Sequence, residues 1–411
     1  MGYQSTFLVG VRWNGALKIA SKLISALKLA IMARLLSPKD FGIFSLVLVS
    51  ISLVEVFTES GINTILVQSH KKIEEYVNTA WIFSIFRGIA IALIMIGLSF
   101  VLSNYYHEPS LKLLILGASL IPFVRGFINP AIITFYKELD FKKDTLYRIS
   151  LVLIDFSVAV AAGFLLRSTV ALILPIFVAA LADVFISFRF LSIKPKLEFH
   201  WTTFSEIFHQ TKWLNNISIL DYLNKNADNL IVGRILGTTL LGFYQNAYAL
   251  TQSATSELSL SVIHASFPIF TRLTSDTQRL RQAFFKVTKG YGLLLLIPTV
   301  LFMLFPKIIV QIQFGNQWLA LAPILPILAA SGYIQGYFNI GSSLLTAKKR
   351  YQFLSISLLV LLSTMVAGLL TFTPKYGLIG AAGSVLLARI ITVPFYVLFT
   401  LKAIHTTSQQ S

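Results

Sequence analysis

Apolar stretches, each long enough to cross a bilayer, alternate along the chain with short polar connections. Twelve stand out, at about 8–33, 41–66, 78–102, 111–136, 147–166, 169–190, 212–236, 239–266, 289–307, 319–341, 351–372 and 377–402. An α-helix needs about 20 apolar residues to cross the hydrocarbon core. The pattern therefore predicts an all-α polytopic membrane protein with twelve transmembrane helices and no soluble domain. The longest connections fall at about 191–211 and 267–288. The second carries Arg272, Arg279, Arg281, Lys286 and, at its border, Lys289, which reads as a segment lying amphipathically on the membrane surface. The first apolar run continues into a full span without a basic leader, so no cleavable signal peptide is expected.

Composition excludes several alternatives. Of 411 residues, 55% are hydrophobic and only 12% charged, where a soluble domain carries about 25% charged residues. Mean hydropathy is +0.75. A soluble enzyme of this length is not compatible with these values. There is no cysteine, which removes disulfides, thiolate metal sites and thiol catalysis. The histidines (His70, His107, His200, His209, His264 and His405) are scattered without ligand spacing, so no metal site is expected. No glycine is followed directly by lysine, so the phosphate-binding loop of an ATPase is missing. No cofactor and no enzymatic reaction are expected.

The formal net charge of +17 raises nucleic acid as a partner, but the placement of the charge argues against it. Alternate loops and their borders, taken from the connection between spans 2 and 3 onward, hold 18 lysines and arginines, and the other loops hold 7. Basic residues concentrate on the cytoplasmic side of membrane proteins. With an even number of spans, both termini are then cytoplasmic.

The chain also repeats itself. Residues 33–44, Ala-Arg-Leu-Leu-Ser-Pro-Lys-Asp-Phe-Gly-Ile-Phe, align with 233–244, Gly-Arg-Ile-Leu-Gly-Thr-Thr-Leu-Leu-Gly-Phe-Tyr, so that Arg34/Arg234, Leu36/Leu236 and Gly42/Gly242 fall at an offset of 200. Both segments close one span and open the next. Weaker matches follow at Tyr106 against Phe314 and Lys142-Lys143 against Lys348-Lys349. The reading is two six-span halves, 1–200 and 201–411, entering the membrane from the same side. Parallel halves around a site near the midplane form a transporter architecture that works by alternating access.

Charges within spans single out candidate site residues, because each costs at least about 2.5–3.5 kcal/mol at the bilayer centre and usually faces a bundle interior or a wet cavity. Asn14, Lys18, Lys22 and Ser25 follow i, i+4, i+8, i+11 and share one face of span 1. Two lysines one turn apart repel, so an anion or internal carboxylates, Glu55 among them, are expected opposite. Lys28 lies nearer the outer end and fits snorkelling. Arg87 and Arg125 either join the anion site or pair with Asp155 and Asp183. Span 7 carries Asn215, Asp221, Asn224, Lys225, Asp228 and Asn229. Asp221, Lys225 and Asp228 share a face and can neutralise one another, or with the amides form a wall for hydroxyl-rich ligands. Glu55 and Glu257 are candidates for ion coupling, since a desolvated carboxyl changes charge readily, or for fixed ion pairs. Glu59 fits local pairing, and Arg389 completes the set of basic residues in the spans. The intramembrane charges sum to plus one in the first half and minus one in the second, which favours an anion against the first half.

The runs "ARLLSPKDFGIFSLVLV" at 33–49, "FTESGINTILVQ" at 57–68, "ADNLIVGRILGTTLLGFYQNAYAL" at 227–250 and "FPIFTRL" at 267–273 resemble polysaccharide-biosynthesis transporters. This is the Wzx-like oligosaccharide flippase branch of the multidrug/oligosaccharidyl-lipid/polysaccharide (MOP) exporter superfamily, and the resemblance covers essentially the whole chain. It implies two pseudo-symmetric six-helix lobes around a central cavity, as in MATE-type exporters. It implies as substrate an undecaprenyl-diphosphate-linked oligosaccharide, moved from the cytoplasmic to the periplasmic leaflet of the bacterial inner membrane for O-antigen, capsule or exopolysaccharide synthesis. A polysaccharide polymerase and glycosyltransferases are implied partners, and a monomer is expected. Lys18 and Lys22 can meet the diphosphate, and span 7 can meet the sugars. A MATE-type multidrug exporter, a lipid II flippase and a non-transporting membrane scaffold are the competing readings. A pump for cationic drugs calls for an acidic, aromatic cavity, and a scaffold gives no reason to carry charges in nine spans.

Overall fold

A backbone in hydrocarbon must satisfy its own hydrogen bonds, and the helix does so within a single segment. In a computed structural model describing residues 3–57, 73–137, 140–191, 193–201 and 215–405, helix is the dominant element and no strand occurs among the described residues. The 58–68 part of one resemblance run, Glu59, Lys71, Lys72 and Lys212 lie outside the described residues, as do the side chains of Asn14, Asn215 and Glu257.

The chain divides into two compact units, Met1–Ile219 and Leu220–Ser411. The first contains α1 (Tyr3–Leu35), α2 (Pro38–Phe57), α3 (Ile73–Tyr106), α4 (Pro109–Ala118), α5 (Leu120–Arg125), a 3-10 turn (Pro130–Ile133), α6 (Thr134–Lys137), α7 (Phe141–Leu166) and α8 (Val170–Phe190). Helix α7 packs on α1 and α8, and α3 packs on α2, α4 and α5. Gly88 on α3 and Gly126 just after α5 allow the closest approach. A Cβ on Gly88 would lie 2.6 Å from the Pro122 carbonyl oxygen, and one on Gly126 would lie 2.8 Å from that of Ser84.

The second unit contains α9 (Asn215–Arg272), which starts a few residues before it, α10 (Thr277–Leu304), α11 (Pro306–Gln313), a 3-10 segment (Asn316–Ile324), α12 (Leu325–Ala347) and α13 (Tyr351–His405). Helix α12 packs on α10 and α13. Phe270, Leu280, Phe284, Leu295, Ile340 and Leu344 form a buried cluster among these helices.

The observed elements correct the sequence expectation at three places. The stretch 111–136 is not one helix. It breaks after Ala118 and again at the turn before Pro130, where Asn129 is extended and its side chain accepts the Ala131 amide. The residue preceding a proline is driven out of the helical region. Spans 7 and 8 are the two arms of α9 on either side of a break at Gly237, and spans 11 and 12 the two arms of α13 on either side of Gly377, close to where the sequence sets their boundaries. The connection expected over 267–288 shrinks to a turn between Arg272 and Thr277. Its basic residues Arg279, Arg281, Lys286 and Lys289 ride on the first turns of α10, whose start is capped by Asp276 accepting from the Arg279 amide at 3.0 Å. The stretch 319–341 opens in a 3-10 segment rather than an α-helix.

The repeat found in the sequence has a structural counterpart. The helical run breaks at Ser37 and at Gly237, 200 residues apart, and Gly42 and Gly242 are both buried just beyond. At the first break the Asp40 carboxylate accepts the Ser37 amide at 3.0 Å, while the Ser37 hydroxyl accepts the Asp40 amide at 3.3 Å. Thr169 at the start of α8 donates to the same carboxylate at 2.8 Å. The conspicuous Ser-Pro-Lys-Asp run is thus a helix start pinned to a second helix.

Six helices among the described residues are long and apolar enough to cross a membrane: Tyr76–Tyr106, Phe141–Leu166, Val170–Phe190, Thr277–Leu304, Asn316–Ala347 and Tyr351–His405, the last holding the Gly377 break. Their large apolar side chains point outward as well as inward. Leu165 is 82% and Phe185 73% exposed, which suits hydrocarbon as the surrounding solvent.

Candidate binding site

The charged residues of the first unit are largely drawn into pairs. Arg125 on α5 reaches Glu55 on α2 at 3.2 Å, and Arg87 on α3 donates to the Glu55 backbone carbonyl, also at 3.2 Å. These three candidate residues therefore meet at one place, and the carboxylate considered for ion coupling is held by a guanidinium. Asp155 is taken by Lys28 at 2.6 Å. Lys28 does not snorkel but ties α1 to α7. Asp183 accepts the Tyr147 hydroxyl, and the buried Asp144 holds Arg148 at 2.9 Å. With Asp155 taken by Lys28 and Asp183 by Tyr147, the two arginines meet Glu55 instead. Lys18 and Lys22 are exposed side chains, one turn apart on α1.

The second unit encloses a cavity of about 430 Å³, within the usual size for small-ligand sites. From the first arm of α9 come Asp221, Asn224 and Lys225. Lys225 and Asp221 pair at 2.5 Å. Asn224 donates to the carbonyls of Leu220 and Leu358 at 2.9 and 3.0 Å. From beyond the Gly237 break come Tyr248, Gln252, Ser256 and Ser259, a stripe at i, i+4, i+8, i+11 on one face. Helix α12 supplies Gln335 and Asn339. Gln335 donates to Asn339 at 3.1 Å, and Asn339 donates to Ser259 at 2.9 Å. Helix α13 supplies Arg389.

Arg389 is 4% exposed. One of its terminal nitrogens donates to the Tyr248 hydroxyl at 3.3 Å. The ring of Tyr248 stacks on Tyr244, whose hydroxyl donates to the buried Asp228 at 2.7 Å. The structure thus brings Asp221, Asn224 and Lys225 to one cavity and turns Asp228, expected on the same face as Asp221 and Lys225, into the core instead. Tyr248, Gln252, Gln335, Asn339 and Ser259 escaped the sequence reading, which weighed charges. The signal was there as a polar stripe at helical spacing inside an apolar stretch.

Among the described residues no group of histidine and acidic side chains is placed to hold a metal ion. The arrangement offers hydrogen-bond donors and acceptors in a bundle of helices apolar on their outer faces, which is the make-up of a multi-pass membrane protein with an internal polar site.

Comparison with known proteins gives the family. The profile of the family described as polysaccharide biosynthesis protein matches residues 31–323, and the chain belongs to that family. It is 25% identical over 363 residues to the lipopolysaccharide biosynthesis protein WzxC of Escherichia coli (strain K12), covering 85% of this chain and 72% of that one. It is 21% identical over 343 residues to the teichuronic acid biosynthesis protein TuaB of Bacillus subtilis (strain 168), covering 83% and 71%. Among solved structures it is similar in fold to the lipid II flippase MurJ in an inward closed conformation, with a TM-score of 0.71 and 18% identity over 94% of this chain and 87% of that one. An inward-facing MATE family multidrug resistance transporter of the MOP superfamily gives the same TM-score at 12% identity, over 94% and 96%.

Proposed function

We propose that the protein is a flippase for lipid-linked oligosaccharides. It carries undecaprenyl-diphosphate-linked repeat units from the cytoplasmic to the periplasmic leaflet of the bacterial inner membrane, for O-antigen, capsule or exopolysaccharide synthesis. The observation that carries this reading is the amide- and hydroxyl-lined cavity of the second unit, in a chain of the polysaccharide biosynthesis family. Asn224, Gln335 and Asn339 offer the donors and acceptors that sugar hydroxyls need.

The reading extends to the whole chain as twelve spans in two six-helix lobes, 1–200 and 201–411, around a central cavity, with both termini cytoplasmic. The lobes rock between inward-open and outward-open states, driven by a proton or sodium gradient or by substrate flux. Lys18 and Lys22, with Asn14 on the same face and together with Arg87 and Arg125, receive the diphosphate. Asn215, Asp221, Asn224 and Lys225 face the sugars, and Glu55 and Glu257 are the carboxylates for coupling. The protein performs no chemistry on its substrate. It works as a monomer beside glycosyltransferases and a polymerase that build and extend the repeat unit.

The deciding experiment is translocation of a fluorescent undecaprenyl-diphosphate-linked oligosaccharide in proteoliposomes. Movement of the label to the inner leaflet, with cationic drugs left untransported, supports the reading. Transport of drugs alone would assign a multidrug exporter. Transport of lipid II in preference to the oligosaccharide lipid would assign a lipid II flippase.

A further inference from the structure

Arg389 carries more hydrogen-bonding capacity than its surroundings use. Its guanidinium lies in the wall of the second unit's cavity and is 4% exposed. Among the described residues one terminal nitrogen, Nη1, has no hydrogen-bond partner. Asp228 acts on it electrostatically, but the two carboxylate oxygens of Asp228 are held by the Tyr244 hydroxyl at 2.7 Å and the Asn229 amide at 2.8 Å. Asp228 balances the charge of Arg389 and leaves Nη1 unfilled. A second unpartnered donor is the side-chain nitrogen of Gln252, a residue that lines the same cavity. Buried donors without acceptors are costly, and more so when charged. Two around one cavity point to an acceptor that arrives with a ligand.

The charges define that acceptor. Arg389 and Lys225 are matched by Asp221 and Asp228, and Lys225 is already bound to Asp221 at 2.5 Å. The site as a whole is near neutral, with one guanidinium edge to offer. A diphosphate, carrying at least two charges, would meet the field of two carboxylates. A single carboxylate matches the planar fork of an arginine. Around it, the free acceptor oxygen of Asn224 and the Gln335–Asn339–Ser259 chain suit the hydroxyls of a ring. We propose that this cavity is a subsite for an acidic sugar of the uronic acid type, with Arg389 and Gln252 binding its carboxylate and the neutral amides binding its hydroxyls. The assignment rests on the flippase reading only in making that sugar part of the lipid-linked substrate.

The test uses the full-length protein with two lipids, an undecaprenyl-diphosphate-linked oligosaccharide bearing glucuronic acid and the same lipid with that carboxyl reduced to an alcohol. In proteoliposomes the acid form should move about tenfold faster, the worth of one good charged hydrogen bond. Arg389→Gln should bring the acid-to-neutral ratio close to one, and Arg389→Lys should restore part of it. Should Arg389→Gln fail to fold, Gln252→Leu tests the same pocket without removing a buried charge, and should lower the ratio severalfold. Calorimetric titration with free glucuronate, glucose and inorganic pyrophosphate separates the site from transport. Glucuronate binding stronger than glucose, lost in Arg389→Gln, supports the subsite even if neither lipid is moved, and then only the flippase reading falls. Both lipids moved at equal rates, with glucuronate bound no better than glucose, overturns the subsite and leaves the flippase reading standing. Pyrophosphate binding that depends on Arg389 also overturns it.

Discussion

The Tyr244 hydroxyl donates to the Asp228 carboxylate at 2.7 Å, from the far side of the helix break at Gly237. Tyr244 is fully buried and Asp228 is 1% exposed, so the bond clamps the two arms of α9 where the backbone no longer does. Tyr244→Phe keeps the packing and removes the donor. It should cost about 1–3 kcal/mol, the penalty for leaving a buried acceptor short of a partner. Thermal unfolding of the detergent-purified protein reads this directly, and an unchanged melting temperature would deny the clamp.

The break itself depends on a backbone conformation open to glycine. Gly237 has φ 82° and ψ 173°, and a Cβ there would meet no atom within 4 Å. Gly237→Ala therefore introduces strain without a clash, at about 1–3 kcal/mol for a residue forced into that region. Gly97, inside α3 and with equally open surroundings, is the control. Gly97→Ala should be neutral or stabilising by up to about 1 kcal/mol, because alanine favours a helix. The Gly237→Ala melting curve should shift down, and the Gly97→Ala curve should not.

The long apolar stretches made the helices legible, because in lipid every backbone bond closes within its own segment. The internal repeat was legible because Ser37 and Gly237 stand at equivalent turns. Partnership was not. Sequence shows that Glu55, Arg87 and Arg125 are costly, but only their meeting across α2, α3 and α5 shows what each holds. Nor could hydropathy expose the break before Pro130, since the flanking residues stay apolar. In the second unit most of the polar groups lining the cavity, beside Leu260, Ile263, Leu358, Leu361 and Met365, are amides and hydroxyls, which are cheap in a span, so the charge-weighted reading reached Asp221, Asn224 and Lys225 and passed over Gln252 and Asn339.

Lys28 and Asp155, 2.6 Å apart and each about a quarter exposed, join α1 to α7. Charge-assisted bonds of this kind contribute about 1.5–3 kcal/mol. Lys28→Met and Asp155→Leu should each destabilise the protein, with the double variant recovering part of the loss because no lone charge remains. A double-mutant cycle on melting temperature measures the coupling, and strict additivity would mean that the pair contributes nothing.

At the start of α7, Asp140 accepts the Lys143 amide at 3.2 Å and pairs with the Lys143 ammonium at 2.9 Å. The side-chain bond from Lys143 is the largest cause holding the Asp140 carboxyl below its usual value. A carboxyl with a depressed folded-state pKa stabilises fully above the unfolded value and loses that contribution as pH falls through the folded one. Hydrogen-exchange protection of the first turn of α7, corrected for intrinsic rates, should hold down to the ordinary aspartate range and decline below it. Asp140→Asn, which keeps an acceptor but not the charge, should flatten the profile.

Lys18 and Lys22 stand one turn apart on α1 with exposed side chains. On an isolated helix such like-charged neighbours cost about 0.2–0.5 kcal/mol. A diphosphate would offset that cost, since two cations at one spacing can share its oxygens. The combined Lys18→Gln and Lys22→Gln variant should insert and melt like the parent yet lose polymer export. Arginine at both positions should retain export, because the charge is what is recognised. Export in a deletion strain, scored beside membrane abundance, separates the possibilities. Normal export by a well-inserted neutral variant would place the diphosphate elsewhere, and loss of insertion would make the lysines elements of assembly instead.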